Sequence, residues 1–308
     1  VTDRSRIPQS LYPFADHFLD RGGLRLHYID EGQGEPVIML HGNPTWSFHF
    51  RALVLALRDR YRVVVPDHMG MGLSDKPGDG QYRYCLQSRA DDLAALLDHL
   101  GLVRGVTLIM HDWGAMIGMA WAVRFPERAA RLVLLNGAAF HVPSNTHVPA
   151  ALHLVRNRAL GALSVRSSDF FIRTAARTCC TRHPMPAEVL DAYLAPYQSW
   201  ADRIALLRFP QDVPLVASDP SYGLVSAIEA GLAQFRKIPA LICWGERDVV
   251  FPPRVLDIWR DLWPHAEVHR FPDCGHWVLE DAPDEIVACV RAFLTAPLPS
   301  VKRAEIGH

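Results

Sequence analysis

The run Val106–Met110 is apolar but for Thr107. It passes without a spacer into His111-Asp112-Trp113-Gly114 and then into the small and apolar series Ala115-Met116-Ile117-Gly118-Met119-Ala120. A nearly continuous apolar strand is one buried on both faces, and such strands belong to parallel sheets covered by helices. A strand that turns directly into a helix makes a sharp elbow, which lifts the side chain at the turn out of the sheet. The residue at that point is Asp112, and Gly114 lets neighbouring backbone approach closely. An aspartate at a helix start is also an ordinary N-cap, and Met110 departs from the small residue usual two places before a nucleophile. The elbow alone therefore does not decide the role of Asp112.

The same alternation extends along the chain. Strand patterns occur at Asp16–Leu19, Leu24–Asp30, Val37–Leu40, Arg62–Pro66, Val106–Met110 and Arg131–Leu135. Helical patterns fall between them near Trp46–Leu57, Leu86–Leu100 and Trp113–Arg124. From His141 to Phe235 only helical stretches broken by prolines remain: His147–Leu160, Ser168–Thr178, Pro186–Leu194, Trp200–Phe209 and Pro220–Phe235. Strands return at Ala240–Gly245 and Glu267–Phe271, and a helix at Asp284–Leu294 follows. The expected organisation is a mostly parallel eight-stranded α/β core in two parts, residues 1–140 and 236–308, with a helical cap at 141–235. The tail Ala296–His308 reads as a loose end.

Three further segments stand where such a core would use them. The strand ending at Leu40 continues into His41-Gly42-Asn43-Pro44, where a backbone N–H can serve an oxyanion hole together with that of Trp113. Gly275-His276 follows the last strand and can bring an imidazole over the elbow. Trp244-Gly245-Glu246-Arg247-Asp248 leaves the preceding strand, and Asp248 can orient that imidazole, with Glu246 as the competing acid. The sixth strand ends at Asn136, which is not ionisable, and His41 and His111 read as supports for the loops they flank. The order nucleophile, acid, histidine gives the expected catalytic set Asp112, Asp248 and His276.

A carboxylate nucleophile constrains the reaction. Attack on an acyl carbon yields an anhydride, whereas attack on an sp³ carbon bearing a leaving group yields an ester that is split later. Substitution at alkyl carbon is favoured. Asn43 and Trp113 carry an amide N–H₂ and an indole N–H, donors suited to a leaving anion. Lys plus Arg (32) balance Asp plus Glu (33), which argues against nucleic acid or an anionic surface as partner. A small apolar substrate fits better. The six cysteines lack metal-binding spacing, the segment Val1–Ser10 lacks a signal-peptide pattern, and no run approaches the roughly 20 apolar residues of a membrane span. The expectation is a cytoplasmic protein without metal or organic cofactor.

These residues together resemble the haloalkane dehalogenase and epoxide hydrolase branch of the α/β-hydrolases, over about residues 12 to 294. The segments that carry the likeness are His41-Gly42-Asn43-Pro44-Thr45-Trp46-Ser47, the stretch from Pro66-Asp67-His68 to Asp75-Lys76-Pro77, His111-Asp112-Trp113-Gly114 and Gly275-His276. Other segments resemble the bacterial β-lactone decarboxylases of long-chain olefin biosynthesis, relatives of the third dehalogenase subfamily. These are Leu86-Gln87-Ser88-Arg89, Gly114-Ala115-Met116-Ile117-Gly118, Ala138-Ala139-Phe140, Ala195-Pro196-Tyr197, Trp200, Arg203-Ile204 and the run from Arg208-Phe209 through Asp212 to Leu215. That likeness implies conversion of a cis-2,3-dialkyl β-lactone to a cis-alkene and carbon dioxide, and association with other olefin-pathway enzymes. The alternatives are a haloalkane dehalogenase, with Asn43 and Trp113 holding halide; an epoxide hydrolase, for which Tyr193, Tyr197 and Tyr222 are candidate proton donors; and a catalytically silent binding protein of the same fold.

Overall fold

The computed structural model describes residues 4–141, 152 and 155–297. Eight strands form one sheet: β1 (His17–Asp20), β2 (Arg25–Glu31), β3 (Glu35–Leu40), β4 (Tyr61–Pro66), β5 (Val106–His111), β6 (Ala129–Leu135), β7 (Ala240–Gly245) and β8 (Glu267–Phe271). Their spatial order is β1-β2-β4-β3-β5-β6-β7-β8. The pairs β1–β2 and β2–β4 are antiparallel and the remainder parallel. β5 and β7 are buried at every position, as their largely apolar sequences require for strands covered on both faces.

Helices α1 (Arg51–Leu57), α2 (Leu86–His99) and α3 (Trp113–Arg124) connect the first strands. Between β6 and β7 lie α4 (Arg158–Arg166), α5 (Phe170–Cys179), α6 (Ala187–Leu194), α7 (Ile204–Gln211) and α8 (Tyr222–Gly231), with no strand among the described residues. α9 (Pro253–Leu262), α10 (Val278–Asp281) and α11 (Pro283–Thr295) complete the set. Half of the expected helix His147–Leu160 lies outside the described residues, as does nearly all of the tail Ala296–His308. The first expected helix is divided, with a 3₁₀ turn at Ser47–Phe50 before α1. α9 was not expected. Pro252-Pro253 reads locally as a loop, yet proline at the first helical position is preorganised to start one, and Val255, Leu256 and Trp259 then fall on a single buried face.

The parallel register aligns Leu40 with Met110, Met110 with Leu134, and Leu134 with Ile242. The carboxyl ends of β3, β5, β6, β7 and β8 therefore share one edge of the sheet, where open α/β sheets hold their ligands. Two close approaches fix the elbow there. A Cβ at Gly114 would lie 1.9 Å from the Leu40 carbonyl oxygen, and one at Gly42 would lie 2.1 Å from Asp112 Oδ2. The departure at Met110 also has a cause, since its sulfur fills the space beside Gly118, where a Cβ would meet it at 2.6 Å.

Candidate active site

Asp112 sits between β5 and α3 with φ +51°, a conformation that a side-chain-bearing residue adopts only at a cost. Its backbone N–H donates to the Asn136 carbonyl at 3.0 Å, and its side chain makes no cap bond to α3. The ordinary N-cap bond, into the first turn beyond Trp113, is therefore not made. The carboxylate instead accepts the backbone N–H of Asn43 at 2.8 Å, on Oδ2, and that of Trp113. The two backbone donors expected from the sequence thus converge on the nucleophile candidate's own carboxyl group. Burial raises the Asp112 pKa above the ordinary carboxylate value, opposed by the His276 charge and by these two N–H groups.

His276, in the loop between β8 and α10, places Nε2 3.9 Å from Asp112 Oδ1 and Nδ1 2.9 Å from Asp248 Oδ2. A carboxylate facing Nδ1 requires the proton on that nitrogen, which leaves Nε2 turned toward Asp112. Burial disfavours the imidazolium, but Asp248 and then Asp112 outweigh it, so the His276 pKa is raised. Asp248 accepts four hydrogen bonds: from His276, from the backbone N–H of Val250 (2.6 Å) and Phe251 (3.0 Å), and from Asn136 Nδ2 (2.8 Å). Glu246 pairs with Arg270 instead, so it does not compete for His276.

Asn136 is the residue that sequence reasoning set aside. Fully buried at the end of β6 with φ +40°, its side chain donates to Asp248 and to the Gly245 carbonyl (3.0 Å) and accepts the Gly245 N–H (2.8 Å). It is the neutral bracket that holds the Asp248 loop. Its one available signal was its place at a strand end on the site's edge of the sheet. Asn136→Asp would remove a donor and set two carboxylates in contact, forcing one to hold a proton. The variant's destabilisation should be small below the ordinary carboxylate pKa and grow as pH rises, reaching about 2–4 kcal/mol near neutrality. Urea unfolding at several pH values measures it, and a pH-independent difference would refute this account.

Behind His276 lies a second buried layer. His111 Nε2 donates to the His276 carbonyl oxygen at 2.9 Å, and its ring lies 4.7 Å from that of His276 and 4.5 Å from that of His49. Burial pushes both His111 and His49 well below the ordinary histidine value, so both are neutral supports. His49 meets the Tyr193 hydroxyl at 2.8 Å, which donates to Glu280 at 2.6 Å. Tyr197 is engaged with the Gly72 N–H, and Tyr222 stacks on His141. Tyr193 and Tyr197 are thus committed to structural partners, not paired over Asp112.

Asn43 donates its side-chain N–H to the Leu206 carbonyl of α7 at 3.2 Å. The Trp113 ring packs edge-on against Phe209 of the same helix at 5.3 Å. The helices between β6 and β7 therefore cover the elbow directly. Among the described residues no group of three or more His, Cys, Asp or Glu is arranged to hold a metal ion, and no helix is long and apolar enough to cross a membrane.

Comparison with known proteins gives concordant results. The protein-family model described as alpha/beta hydrolase fold matches residues 35–283. A protein named cis-3-alkyl-4-alkyloxetan-2-one decarboxylase from Shewanella oneidensis is 53% identical over 286 residues, covering 93% of this chain and 90% of its own. Haloalkane dehalogenase 2 of Mycobacterium bovis is 33% identical over 281 residues, covering 91% of this chain and 95% of its own. Among solved structures, the haloalkane dehalogenase DatA of Agrobacterium tumefaciens C58 superposes with a TM-score of 0.82 at 25% identity, covering 94% of this chain and 99% of that one.

Proposed function

This chain belongs to the α/β-hydrolase family, in its haloalkane dehalogenase branch, and from that premise we propose that it is a decarboxylase of cis-3-alkyl-4-alkyloxetan-2-ones. The observation that carries this reading is 53% identity, spread over 93% of the chain, to a decarboxylase of that name, against 33% to a dehalogenase. The helices over the elbow also carry Phe209 and its neighbours, a segment that resembles the β-lactone decarboxylases.

In the proposed reaction an Asp112 carboxylate oxygen attacks the ring carbon bearing the lactone oxygen. That C–O bond breaks with inversion, its electron pair passes to the ring oxygen, and a carboxylate is released on the adjacent carbon. The bond from that carbon to the carboxylate then cleaves, and its electrons form the alkene as the Asp112 ester bond breaks anti to it. Asp112 recovers its charge and carbon dioxide departs. Inversion followed by anti elimination keeps the two alkyl groups cis, and no water is consumed. His276, held by Asp248, supplies positive potential beside Asp112, and the Asn43 and Trp113 backbone N–H groups hold the oxygen that remains a carbonyl in the ester. Asn43 and Trp113 side chains serve the leaving anion. Six cysteine thiols, none joined in a disulfide, support a reducing compartment such as the cytoplasm, and we include association with other olefin-pathway enzymes in the proposal.

Product analysis tests this reading. The purified protein given a cis-dialkyl β-lactone should release cis-alkene and carbon dioxide in equal amounts. Bromide and alcohol from a 1-bromoalkane, with the lactone untouched, would overturn the proposal in favour of a dehalogenase.

A further inference from the structure

Two sequence segments tied to the decarboxylase likeness, Leu86-Gln87-Ser88-Arg89 and the run through Phe209 and Asp212, meet in space. Arg89, on α2, is 1% exposed. Its guanidinium lies 3.8 Å from the Phe209 ring centroid and 5.7 Å from that of Trp113, the residue beside the elbow. Its one carboxylate contact among the described residues is Nη1 to Asp212 Oδ2, at 3.3 Å. Asp212 is meanwhile satisfied by other donors, the Leu86 N–H at 2.6 Å and the Ser221 hydroxyl at 2.7 Å. Among the described residues Arg89 Nε and Nη2, the two nitrogens of one bidentate fork, find no partner although both are buried.

A guanidinium present only to tie α2 to α7 would be paired through its fork, because buried cations are costly unless their donors are matched. This one meets Asp212 through Nη1 alone, leaves its fork unmatched among the described residues and lies against two aromatic rings, the second of them Trp113. Positive charge fixed in a water-free setting acts most strongly on negative charge that develops during reaction. Resting on the reading above, we propose that Arg89 is a positioning residue for lactone opening: it acts through Trp113 and Phe209 to favour the carboxylate that forms when the ring C–O bond breaks. The arrangement also keeps the cation out of contact with that carboxylate. A direct ion pair would hold the anion and oppose the loss of carbon dioxide that follows, whereas a cation set behind the rings assists opening without capturing the product of that step.

The test compares wild type, Arg89→Lys and the double variant Arg89→Met/Asp212→Asn, which leaves no carboxylate unpaired, on a cis-dialkyl β-lactone. In the double variant kcat should fall about 10²-fold with KM within about threefold, and Arg89→Lys should recover at least a tenth of wild-type kcat. A double variant within about threefold of wild type overturns the proposal. So does a loss in which KM rises with thermal stability impaired and Lys does no better than Met, because that is the behaviour of a structural latch. Wild type inactive on the lactone would instead mean that the underlying decarboxylase reading has failed.

Discussion

Asp112→Ala should abolish alkene formation, with a loss of about 10⁴-fold or more, since deletion of a nucleophile leaves only binding and electrostatic assistance. The fold should survive. The positive φ at 112 strains Asp and Ala alike, and the side chain makes no ordinary cap bond to α3. Removing it takes away a carboxylate whose pKa burial has raised, which means that its charged form is disfavoured where it sits. The variant also leaves the Asn43 and Trp113 backbone N–H groups without their acceptor, which costs about 1–2 kcal/mol. These two effects oppose one another, so the melting temperature should move by no more than a few degrees while activity disappears. Gas chromatography of product from wild type and variant, with melting curves alongside, measures both. More than about 1% residual turnover in a folded Asp112→Ala protein would remove Asp112 from the nucleophile role and with it the ester intermediate.

The same residues show why the sequence revealed some parts of the site and not others. Asp112 and Asp248 follow β5 and β7, whose apolar patterns are clear, while His276 follows the more polar and half-exposed β8, and a parallel register carries strand ends to one edge whatever the connecting helices do. Position along the chain therefore reported position in space. Asn136 obeys the same rule but is neutral, and neutrality reads as absence of chemistry. Only the tertiary structure reveals that its amide is matched on both sides, to Asp248 and to Gly245. α9 was hidden for a local reason, two adjacent prolines that start a helix where they usually mark a loop. Arg89 was visible as a segment of resemblance but not as a feature of the site. The structure adds that its fork finds no partner among the described residues, and that cannot be inferred from a linear pattern.

Replacement of His276 separates the two chemistries most sharply, because only one of them needs water. With a 1-bromoalkane, His276→Gln should release one equivalent of bromide per protein and stop, with protein mass increased by the alkyl group, and later turnover should fall about 10³-fold. The ester forms by displacement alone, but its hydrolysis needs a base to activate water against the Asp112 carbonyl. With a cis-dialkyl β-lactone the same variant should continue to turn over, slowed only about 10- to 10²-fold, since elimination returns Asp112 without hydrolysis. Glutamine retains an N–H for Asp248, which keeps the buried carboxylate partnered, and His276→Ala serves as the comparison. A pH signature accompanies the change. The His276 charge lowers the Asp112 pKa in the native site, so its removal should shift the acid limb of lactone turnover to higher pH. Intact-protein mass and alkene yield, followed across pH in one preparation, decide the matter. If lactone turnover halts with a covalent adduct on Asp112, the water-free elimination is wrong and His276 acts as a general base for both substrates. Continued turnover with an upward-shifted acid limb leaves His276 with an electrostatic role in decarboxylation. The arrangement of Asp248, Asn136 and the neutral His111 around it is what such a role requires, a fixed imidazole whose charge is set by its partners.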